Sequence, residues 1–304
     1  MSAVLTLDHV TAGYSVDIDV LRDLSLAVEA GRITGLIGLN GAGKSTVMKA
    51  ICGFLKPKAG HVIYEGQDIT GLEPHRLSAR GIWYIPQESS LFPFMTVAEN
   101  LRLPLENLSR ATGSPGRGEI EQRFQAMLEK FPALRIKLRA QAGDLSGGQQ
   151  KMLEFAKAWL MRPRLCLIDE PSIGLAPKIV EEVFDWSRLF ASEQMAILLV
   201  DHNVRRVIAM SHRIYVLSLG EIRRGIESLP DGDRKSRLAD WLEVELPAFF
   251  GERVLPVDER VADRWGRLVS QIGRPVPAID SLLAATALHH DLTMVTRKVR
   301  DFSY

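Results

Sequence analysis

The sequence has few cysteines, almost no net charge and no long apolar run. Its 304 residues include two cysteines, Cys52 and Cys166, and 38 lysines and arginines against 37 aspartates and glutamates. Two cysteines are too few for a disulfide framework or a cysteine metal quartet, so we expect buried free thiols in a reducing compartment. The balanced charge gives no bulk reason to expect nucleic acid or an anionic membrane as the main partner, so any such partner must be recognised locally.

The chain also lacks the segments that direct a protein into or across a membrane. The longest apolar run, Met195 to Val200, is far shorter than the roughly 18 residues that a spanning helix needs. The first residues lack the basic and apolar regions of a signal peptide. We therefore expect a chain that neither crosses a membrane nor is exported, with the 46% hydrophobic and 25% charged residues of an ordinary globular protein. Its length predicts two domains, or one large domain with an appendage.

Short β-rich segments alternate with segments of helical spacing along most of the chain. Strands are predicted at Leu5–Val10, Leu24–Val28, Ile33–Ile37, Leu165–Ile168, Met195–Val200 and Ile214–Leu217, and helices at Lys44–Phe54, Glu119–Phe131 and Ile179–Ser192. This alternation, with strands that are almost wholly apolar, indicates an α/β fold with a mostly parallel sheet covered on both faces. Between about Leu105 and Gly118 the periodicity is lost and Gly, Ser and Pro increase, which predicts an exposed connection. Further helices are predicted from about Lys235 and Asp258, and from Asp280 to His290.

A glycine-rich loop lies between the predicted strand Ile33–Ile37 and the helix that begins at Lys44. Residues 38–46 read GLNGAGKST, which fits the phosphate-loop pattern of Gly, four residues and Gly-Lys-Ser/Thr. The glycines let backbone N–H groups and the helix N-terminus face a phosphate, Lys44 reaches the β- and γ-phosphates, and the Ser45 hydroxyl can ligate Mg²⁺. The alternative is a glycine-rich turn that matches by chance. The predicted binding residues are Gly38, Asn40, Gly41, Gly43, Lys44, Ser45 and Thr46.

Two acidic residues, Asp169 and Glu170, stand at the end of the apolar strand Leu165–Ile168. An unpaired charge there would be costly unless a cation lies nearby, and Mg²⁺ would supply that cation. Asp169 would hold the metal through the coordination shell of Mg²⁺. Glu170 would orient or deprotonate the attacking water, because hydrolysis of a phosphoanhydride depends on in-line positioning. The alternative is a strand that ends in a solvated acidic turn.

A second glycine-bearing helix start is formed by Ser146, Gly147, Gly148 and Gln149, which follow Leu145. Such a helix N-terminus also suits an anion. Together with the phosphate loop and the acidic pair, this pentapeptide resembles the ATP-binding-cassette (ABC) ATPases, whose signature motif it matches letter for letter. The resemblance implies a P-loop NTPase core with a helical subdomain, and ATP and Mg²⁺ as ligands. It also implies a homo- or heterodimer in which the signature of one subunit closes on the nucleotide held by the other.

The resemblance assigns roles to three more residues. It implies that Tyr14 stacks on adenine, that Gln87 contacts Mg²⁺ and the attacking water and signals to a membrane partner, and that His202 contacts the γ-phosphate. Without the resemblance, Tyr14 would be interpreted as an ordinary surface tyrosine. His202 would be interpreted as a loop histidine whose hydrogen bonds are satisfied. The metal ligands implied are Ser45, Gln87 and Asp169, and the catalytic residues are Glu170, His202 and Gln87.

Within the family, the strongest resemblance is to the ATPase subunits of branched-chain amino-acid importers. It lies in residues 68–72, 94–101 and 171–177, and the last of these carries Ala176 where most ABC ATPases have Asp and this subgroup commonly has Ala. It implies an ATP-hydrolysing transport subunit for branched-chain amino acids or related small polar solutes. Such a subunit is cytoplasmic and peripheral on the inner face of the membrane, with permease subunits as partners and nucleic acid not expected. Substrate choice itself belongs to subunits that this sequence does not contain.

The ABC resemblance covers about residues 3–226, so we place an ATPase domain at residues 1–226. Its helical subdomain, at about 88–160, would dock a membrane subunit. The apolar stretch Leu91–Met95 within it is predicted to be core, with a docking surface as the alternative. A soluble ABC protein that acts on ribosomes would need two tandem cassettes, and the single phosphate loop counts against it.

The segment after the ATPase, residues 227–304, resembles a different family. The run that begins near residue 218 is similar to the PIN-domain ribonucleases of toxin–antitoxin systems at 220–226, 253–258, 264–268, 279–287 and 295–302. Those enzymes gather carboxylates around Mg²⁺ or Mn²⁺, and Glu221, Asp280 and Asp301 match three acidic positions. The first PIN strand, which carries a metal-binding Asp in an Asp-Thr-Asn context, is missing, so we expect a partial α/β PIN-like segment without nuclease activity. The alternative function is a Mg²⁺-dependent ribonuclease toxin fused to an ATPase domain.

Overall fold

The computed structural model describes residues 3–14, 19–38, 42–113 and 115–217, and in the tail residues 232, 263–264, 266–268, 270, 284–286 and 288–289. The strands are β1 (Ala3–Ala12), β2 (Leu21–Glu29), β3 (Ile33–Gly38), β4 (Ala59–Tyr64), β5 (Gln67–Asp68), β6 (Ile82–Ile85), β7 (Leu165–Asp169), β8 (Ala196–Val200) and β9 (Arg213–Leu217). The helices are α1 (Lys44–Ile51), α2 (Pro74–Ala79), α3 (Val97–Thr112), α4 (Arg117–Lys130), α5 (Pro132–Arg135), α6 (Gly147–Met161), α7 (Pro177–Ser192) and α8 (Val204–Met210), with a 3₁₀ turn at Ala142–Asp144.

Five of the described strands form a parallel sheet in the order β6-β7-β8-β3-β9, as the alternation of strands and helices predicts. All residues of β7 and β8 are buried, which explains why these strands are almost wholly apolar. The register pairs Ile85 with Ile168, and it pairs Val200 with both Asp169 and Leu36. Strands β6, β7, β8 and β3 therefore end side by side, and the loops that follow them meet at one edge of the sheet.

The other four described strands form a separate antiparallel sheet in the order β2-β1-β4-β5. Buried and less buried residues alternate along β2, as in a sheet with one face on the core. The predicted strands Leu5–Val10 and Leu24–Val28 correspond to β1 and β2. The second sheet is not evident from the sequence pattern, because β1 pairs with β4 across a long stretch of chain that contains β3 and α1.

Apolar side chains cover both faces of the parallel sheet. One cluster places Phe155 of α6 and Phe184 of α7 with Cys166 of β7. The other places Met48 of α1 with Cys52 and with apolar residues of the antiparallel sheet. Cys52 and Cys166 are free and buried, which confirms that prediction, and burial raises the pKa of both thiols.

The prediction of an exposed connection over Leu105–Gly118 is wrong. Helix α3 continues through Pro104 to Thr112, and the Leu105 side chain is fully buried. The helix ends at Gly113, whose φ of 77° lies in the left-handed region. Burial of one apolar face outweighs the weak local helix signal of a segment that is rich in Gly, Ser and Pro, so the connection to α4 is only a few residues long.

The stretch Leu91–Met95, predicted to be core, is only partly buried. Phe92 is 50% exposed and Phe94 is 88% exposed, so the prediction is wrong for these two rings. Leu91 packs at the edge of the core. The segment between β6 and α3 therefore presents two aromatic rings on the surface.

In the tail, the described residues that have regular structure are helical. Residues 263–264, 266–268 and 270, and residues 284–286 and 288–289, agree with the helices predicted from Asp258 and Asp280. The helix predicted from Lys235 lies outside the described residues, as do Glu221, Asp280 and Asp301. Among the described helices of the chain, none combines the length and the apolarity that crossing a bilayer requires.

Candidate functional site

The loop between β3 and α1 leads to a helix start without a side-chain cap. Gly43 occupies the N-cap position with a φ of 101°, in the left-handed region, and a Cβ atom there would lie 2.8 Å from the Leu21 side chain. Only glycine meets both conditions without strain. A helix start without a side-chain cap suits an anionic ligand. Asn40 and Gly41, predicted for this loop, lie outside the described residues.

Lys44, the first residue of α1, is buried. Its Nζ atom donates a hydrogen bond of 2.8 Å to the carbonyl oxygen of Gly38 at the end of β3. Burial lowers the pKa of Lys44, and the charges of Glu170 and Asp169 oppose this shift. The structure therefore brings together the lysine and the two carboxylates that the sequence predicts as one site.

Asp169 is the last residue of strand β7, and its side chain is buried. The Tyr84 hydroxyl donates a hydrogen bond of 3.1 Å to Oδ2, and Ser45 also bonds to the carboxylate. Within the described part of the chain, the buried Oδ1 atom has no hydrogen-bond partner. Burial raises the pKa of Asp169, while the two hydrogen bonds and Lys44 lower it. An unsatisfied carboxylate oxygen beside a hydroxyl is a donor set that fits Mg²⁺, which prefers oxygen ligands.

Glu170 follows in an unusual backbone conformation. Its φ is 45°, and its N–H donates a hydrogen bond of 2.8 Å to the carbonyl oxygen of Val200 at the end of β8. A left-handed non-glycine residue stores strain, and such strain is common at functional sites. Burial raises the pKa of the half-buried Glu170 carboxyl, and the neighbouring Asp169 adds to this shift. Lys44 and His202 act in the opposite direction, so both lie within electrostatic reach of Glu170.

Asp201 organises the loop that follows β8. Its buried carboxylate accepts hydrogen bonds from the Ser172 hydroxyl at 2.9 Å, from the Ser172 N–H at 3.2 Å and from the Asn203 N–H at 2.7 Å. The neighbouring His202 has its Nδ1 atom 3.6 Å from Asp201 Oδ1, and its side chain is 34% exposed. Asp201 thus ties the loop after β7 to the loop that carries His202. Sequence reasoning missed Asp201 and Ser172, although an acid directly after an apolar strand was a signal.

Gln87 lies two residues beyond β6, next to the end of β7. Its position follows from the pairing of Ile85 with Ile168, and its side chain is exposed. Among the contacts of the described residues, none joins Gln87 to Ser45 or Asp169. Tyr84, which sequence reasoning missed, reaches Asp169 from the same strand.

Tyr14 lies beside α1. Its hydroxyl is 3.4 Å from the Thr46 hydroxyl, and Lys49 Nζ is 5.3 Å from the ring centroid. The side chain is 60% exposed, so the ring offers a free surface to a flat ligand.

The signature residues stand at the start of α6. Ser146 is the N-cap and forms a capping box with Gln149, with hydrogen bonds of 3.4 Å and 3.2 Å between the backbone N–H of each residue and the side chain of the other. A Cβ atom on Gly147 would meet nothing closer than 4.0 Å, whereas one on Gly148 would lie 2.9 Å from Ile179. No contact described in the chain joins residues 146–149 to Lys44 or Asp169. The phosphate loop, the acidic pair and His202 thus form one group, and the signature lies outside it.

Comparisons with known proteins agree with this geometry. The family model of the ABC transporter matches residues 21–173, and that of the PIN domain matches residues 196–302. The chain is 34% identical over 221 residues to the high-affinity branched-chain amino acid transport ATP-binding protein BraG of Pseudomonas aeruginosa, with 72% of this chain and 91% of BraG covered. It is 35% identical over 203 residues to the lipopolysaccharide export system ATP-binding protein LptB of Acidithiobacillus ferridurans, with 67% of this chain and 82% of LptB covered.

Two solved structures are similar to the chain as well. One is the ADP conformation of MJ1267, an ATP-binding cassette of an ABC transporter, with a TM-score of 0.63 and 28% identity over 83% of this chain and 100% of that chain. The other is the dimeric post-hydrolysis state of the ATP-binding cassette MJ0796 bound to ADP and Pi, with a TM-score of 0.61 and 25% identity over 70% of this chain and 94% of that chain.

The PIN match overlaps the ATPase fold. It begins at residue 196, so it includes β8, α8 and β9, and both of these strands pair with β3 in the parallel sheet. Three observations support one assignment. They are the strand order of the sheet, the grouping of Lys44 with Asp169 and Glu170, and the matches over most of the described chain. The chain belongs to the ABC transporter family and is an ATP-binding, ATP-hydrolysing subunit of a transporter, with a PIN-like C-terminal segment.

Proposed function

We propose that Mg²⁺–ATP binds at the edge of the parallel sheet where β3, β7 and β8 end. The phosphates would lie on the loop before α1 and against Lys44, and Ser45 and Asp169 would hold the metal. Bound Mg²⁺ would neutralise charge on the phosphates during transfer. The observation that carries this proposal is the buried Asp169 Oδ1, which has no hydrogen-bond partner among the described residues, in a carboxylate that interacts electrostatically with the buried Lys44.

We assign Glu170 to the attacking water. A carboxyl group whose pKa is raised by burial accepts a proton more readily than an ordinary glutamate does, which suits a general base. Its strained backbone and its hydrogen bond to Val200 fix the side chain at the end of β7. His202 would contact the γ-phosphate, with Asp201 and Ser172 holding its loop in place. Tyr14 would stack on adenine, and Gln87 would contact the metal and the water.

The signature residues 146–149 would act on the nucleotide of a second subunit. Their separation from Lys44 and Asp169 within one chain supports this arrangement, and the solved MJ0796 cassette is dimeric. A head-to-tail pair of copies would bring each signature onto the phosphate loop of the other. The same geometry serves a homodimer or a heterodimer.

We propose that the exposed rings after β6 contact a permease subunit on the cytoplasmic face of the membrane. Phe92 and Phe94 lie in the segment that begins beyond Gln87, and Phe54 is also 61% exposed with its ring 6.3 Å from that of Tyr84. Exposed aromatic rings of this kind are enriched at protein interfaces. Tyr84 in turn donates a hydrogen bond to Asp169, so Phe54 is one residue away from the proposed metal site.

For the cargo, we favour branched-chain amino acids or related small polar solutes. The sequence motifs at 68–72, 94–101 and 171–177 and the similarity to BraG support this choice, while the similarity to LptB supports lipopolysaccharide instead. Uptake of labelled leucine by cells that carry wild-type or Glu170→Gln protein distinguishes the two. We expect uptake to fall in the variant cells. Normal uptake with defective lipopolysaccharide export would reverse the assignment.

The proposed domain boundaries are an ATPase at residues 1–226, with a helical subdomain at about 88–160, and a PIN-like segment at 227–304. The PIN-domain match favours one alternative activity, cleavage of RNA with Mg²⁺ or Mn²⁺. We expect no such activity, because residues 196–217 of the match are built into the ATPase sheet and no separate first PIN strand is evident in the sequence.

The test pairs two assays on the full chain. ATP hydrolysis is measured for wild type and Glu170→Gln, and RNA cleavage for wild type and Asp280→Ala. We expect hydrolysis that Glu170→Gln abolishes while ATP binding persists, and no cleavage of RNA. Cleavage that depends on Asp280, without hydrolysis that depends on Glu170, would overturn the proposed function in favour of the nuclease.

A further inference from the structure

Three charged side chains on one face of α6 are buried. Lys151, Glu154 and Lys157 expose 8%, 2% and 5% of their surface. They are three residues apart, so they follow one another along the helix face. Lys151 Nζ donates a hydrogen bond of 2.6 Å to Glu154 Oε2. Buried charges are costly even when paired, so a cluster of three calls for a reason beyond stability.

The cluster holds the backbone of an exposed residue in the segment after Gln87. The second oxygen of Glu154, Oε1, accepts a hydrogen bond of 2.6 Å from the Ser90 N–H. Lys157 Nζ donates a hydrogen bond of 3.1 Å to the Ser90 carbonyl oxygen and lies 5.8 Å from the Phe92 ring centroid. Both polar backbone groups of Ser90 are therefore bound to buried charges of a single helix.

A second buried side chain holds the same segment from another helix. Asn100 of α3 is fully buried, and its Oδ1 accepts a hydrogen bond of 2.9 Å from the Phe92 N–H, while its Nδ2 donates one of 3.0 Å to the Phe92 carbonyl oxygen. The segment thus joins α3 to α6. Ser146, the N-cap of α6, lies about 12 Å along the helix from Glu154.

We propose that Glu154 is a positioning residue that makes the segment after Gln87 move as one body with α6. Displacement of residues 88–92 is then passed through Ser90 and Glu154 to the signature residues 146–149 at the start of the helix. This inference rests on the proposed function, because it takes those residues to act on the nucleotide of a second subunit. It adds a buried carboxylate that the phosphate site itself does not touch.

The test uses two double variants of the full chain. Lys151→Met/Glu154→Met removes one charge of each sign from the cluster, so the net charge of the cluster is unchanged, and it also removes the acceptor for Ser90. Lys151→Met/Glu154→Gln removes the same charges but keeps an oxygen that can accept from the Ser90 N–H. We expect kcat for ATP hydrolysis to fall about tenfold in the Met/Met variant with KM within about twofold, and kcat to stay near the wild-type value in the Met/Gln variant.

Hydrogen exchange in the nucleotide-free chain gives a second readout that does not need hydrolysis. We expect faster exchange at the amides of residues 88–92 and also of 147–149 in the Met/Met variant, and wild-type rates in the Met/Gln variant. If the wild-type chain shows no ATP hydrolysis that depends on Glu170, the proposed function is wrong. The exchange rates at residues 88–92 and 147–149 would still show whether Glu154 couples the two segments.

Three results would overturn the inference. The first is a loss of kcat shared by both double variants, since the contact to Ser90 would then not matter. The second is faster exchange at residues 88–92 with unchanged rates at 147–149. The third is a loss of kcat that is matched by a loss of thermal stability in the Met/Met variant, which would assign Glu154 a purely structural role.

Discussion

The two glycine-bearing helix starts of this chain satisfy their first backbone N–H groups in different ways. Helix α1 begins after Gly43, which has no side chain to cap it, and Lys44, Asp169 and Glu170 lie close to this start. Helix α6 begins with Ser146, whose hydroxyl accepts from the Gln149 N–H. The start of α1 therefore has no side-chain cap, whereas the start of α6 is capped within the chain.

The difference fits the proposal that the two helix starts act on nucleotides held by different subunits. An uncapped helix start beside a buried lysine suits an anion, which is the role proposed for the start of α1. The capped start of α6 already has its Ser146 and Gln149 backbone N–H groups hydrogen-bonded within the chain, so it does not need a ligand of its own chain.

The largest expected effect comes from removing the charge beneath α1. Lys44→Met keeps the length of the side chain, and we expect ATP hydrolysis to fall by at least about 100-fold, as when one preorganised donor is lost. Lys130→Met is the control, since Lys130 ends α4 and forms an ion pair of 3.6 Å with Glu193, outside the proposed site. Equal losses in both variants, measured by phosphate release, would contradict the special role of α1.

The next largest effect is expected from a negative charge placed at the start of α6. Gly147→Asp fits the chain, because the space around Gly147 is open, and an acid in a first helical turn favours folding. We expect hydrolysis to fall about tenfold or more through repulsion of phosphate, with the melting temperature unchanged or raised. Gly118→Asp places the same charge in the first turn of α4, where space is also open, and should leave hydrolysis unaltered.

A third change separates the two adjacent glycines of the signature by stability. Gly148→Ala brings a methyl group to 2.9 Å from Ile179, so we expect a loss of about 1–3 kcal/mol in the free energy of unfolding. Gly147→Ala meets no neighbour and should be neutral or stabilising. Urea unfolding of both variants measures the contrast, and equal stabilities would show that Ile179 yields freely.

The smallest effect concerns the acids near α1. Because burial raises the pKa of Glu170 above its ordinary value of 4.5, ionisation of this group opposes folding once the pH exceeds that value. We therefore expect Glu170→Gln to raise the melting temperature of the nucleotide-free chain at about pH 7, and the gain to vanish toward about pH 4. A gain that persists in acid would mean that charge at Glu170 is not the cause.

Local signals in the sequence predicted much of the site. The phosphate loop, the acids after β7 and the signature all lie at strand ends or helix starts, where one short segment of chain fixes both position and chemistry. The parallel strands were predictable too, since β7 and β8 are buried on both faces.

Features that depend on tertiary neighbours were not predictable. The Tyr84 hydroxyl meets Asp169 only because β6 lies next to β7, and Asp201 meets Ser172 only because β8 lies next to β7. Local composition also misled at Leu105, where burial extends α3 through a segment that reads as a loop. In each case packing between distant segments decides the outcome.

Mixing two inactive variants tests the central claim most directly. A dimer of one Lys44→Met chain and one Gly147→Asp chain has one site with both mutations and, if the signature acts on the partner's nucleotide, one intact site. Random pairing then predicts recovery of about a quarter of wild-type ATP hydrolysis in an equal mixture of the two chains. If the mixture remains as inactive as the separate variants, the two helix starts do not meet across a dimer and the account is contradicted.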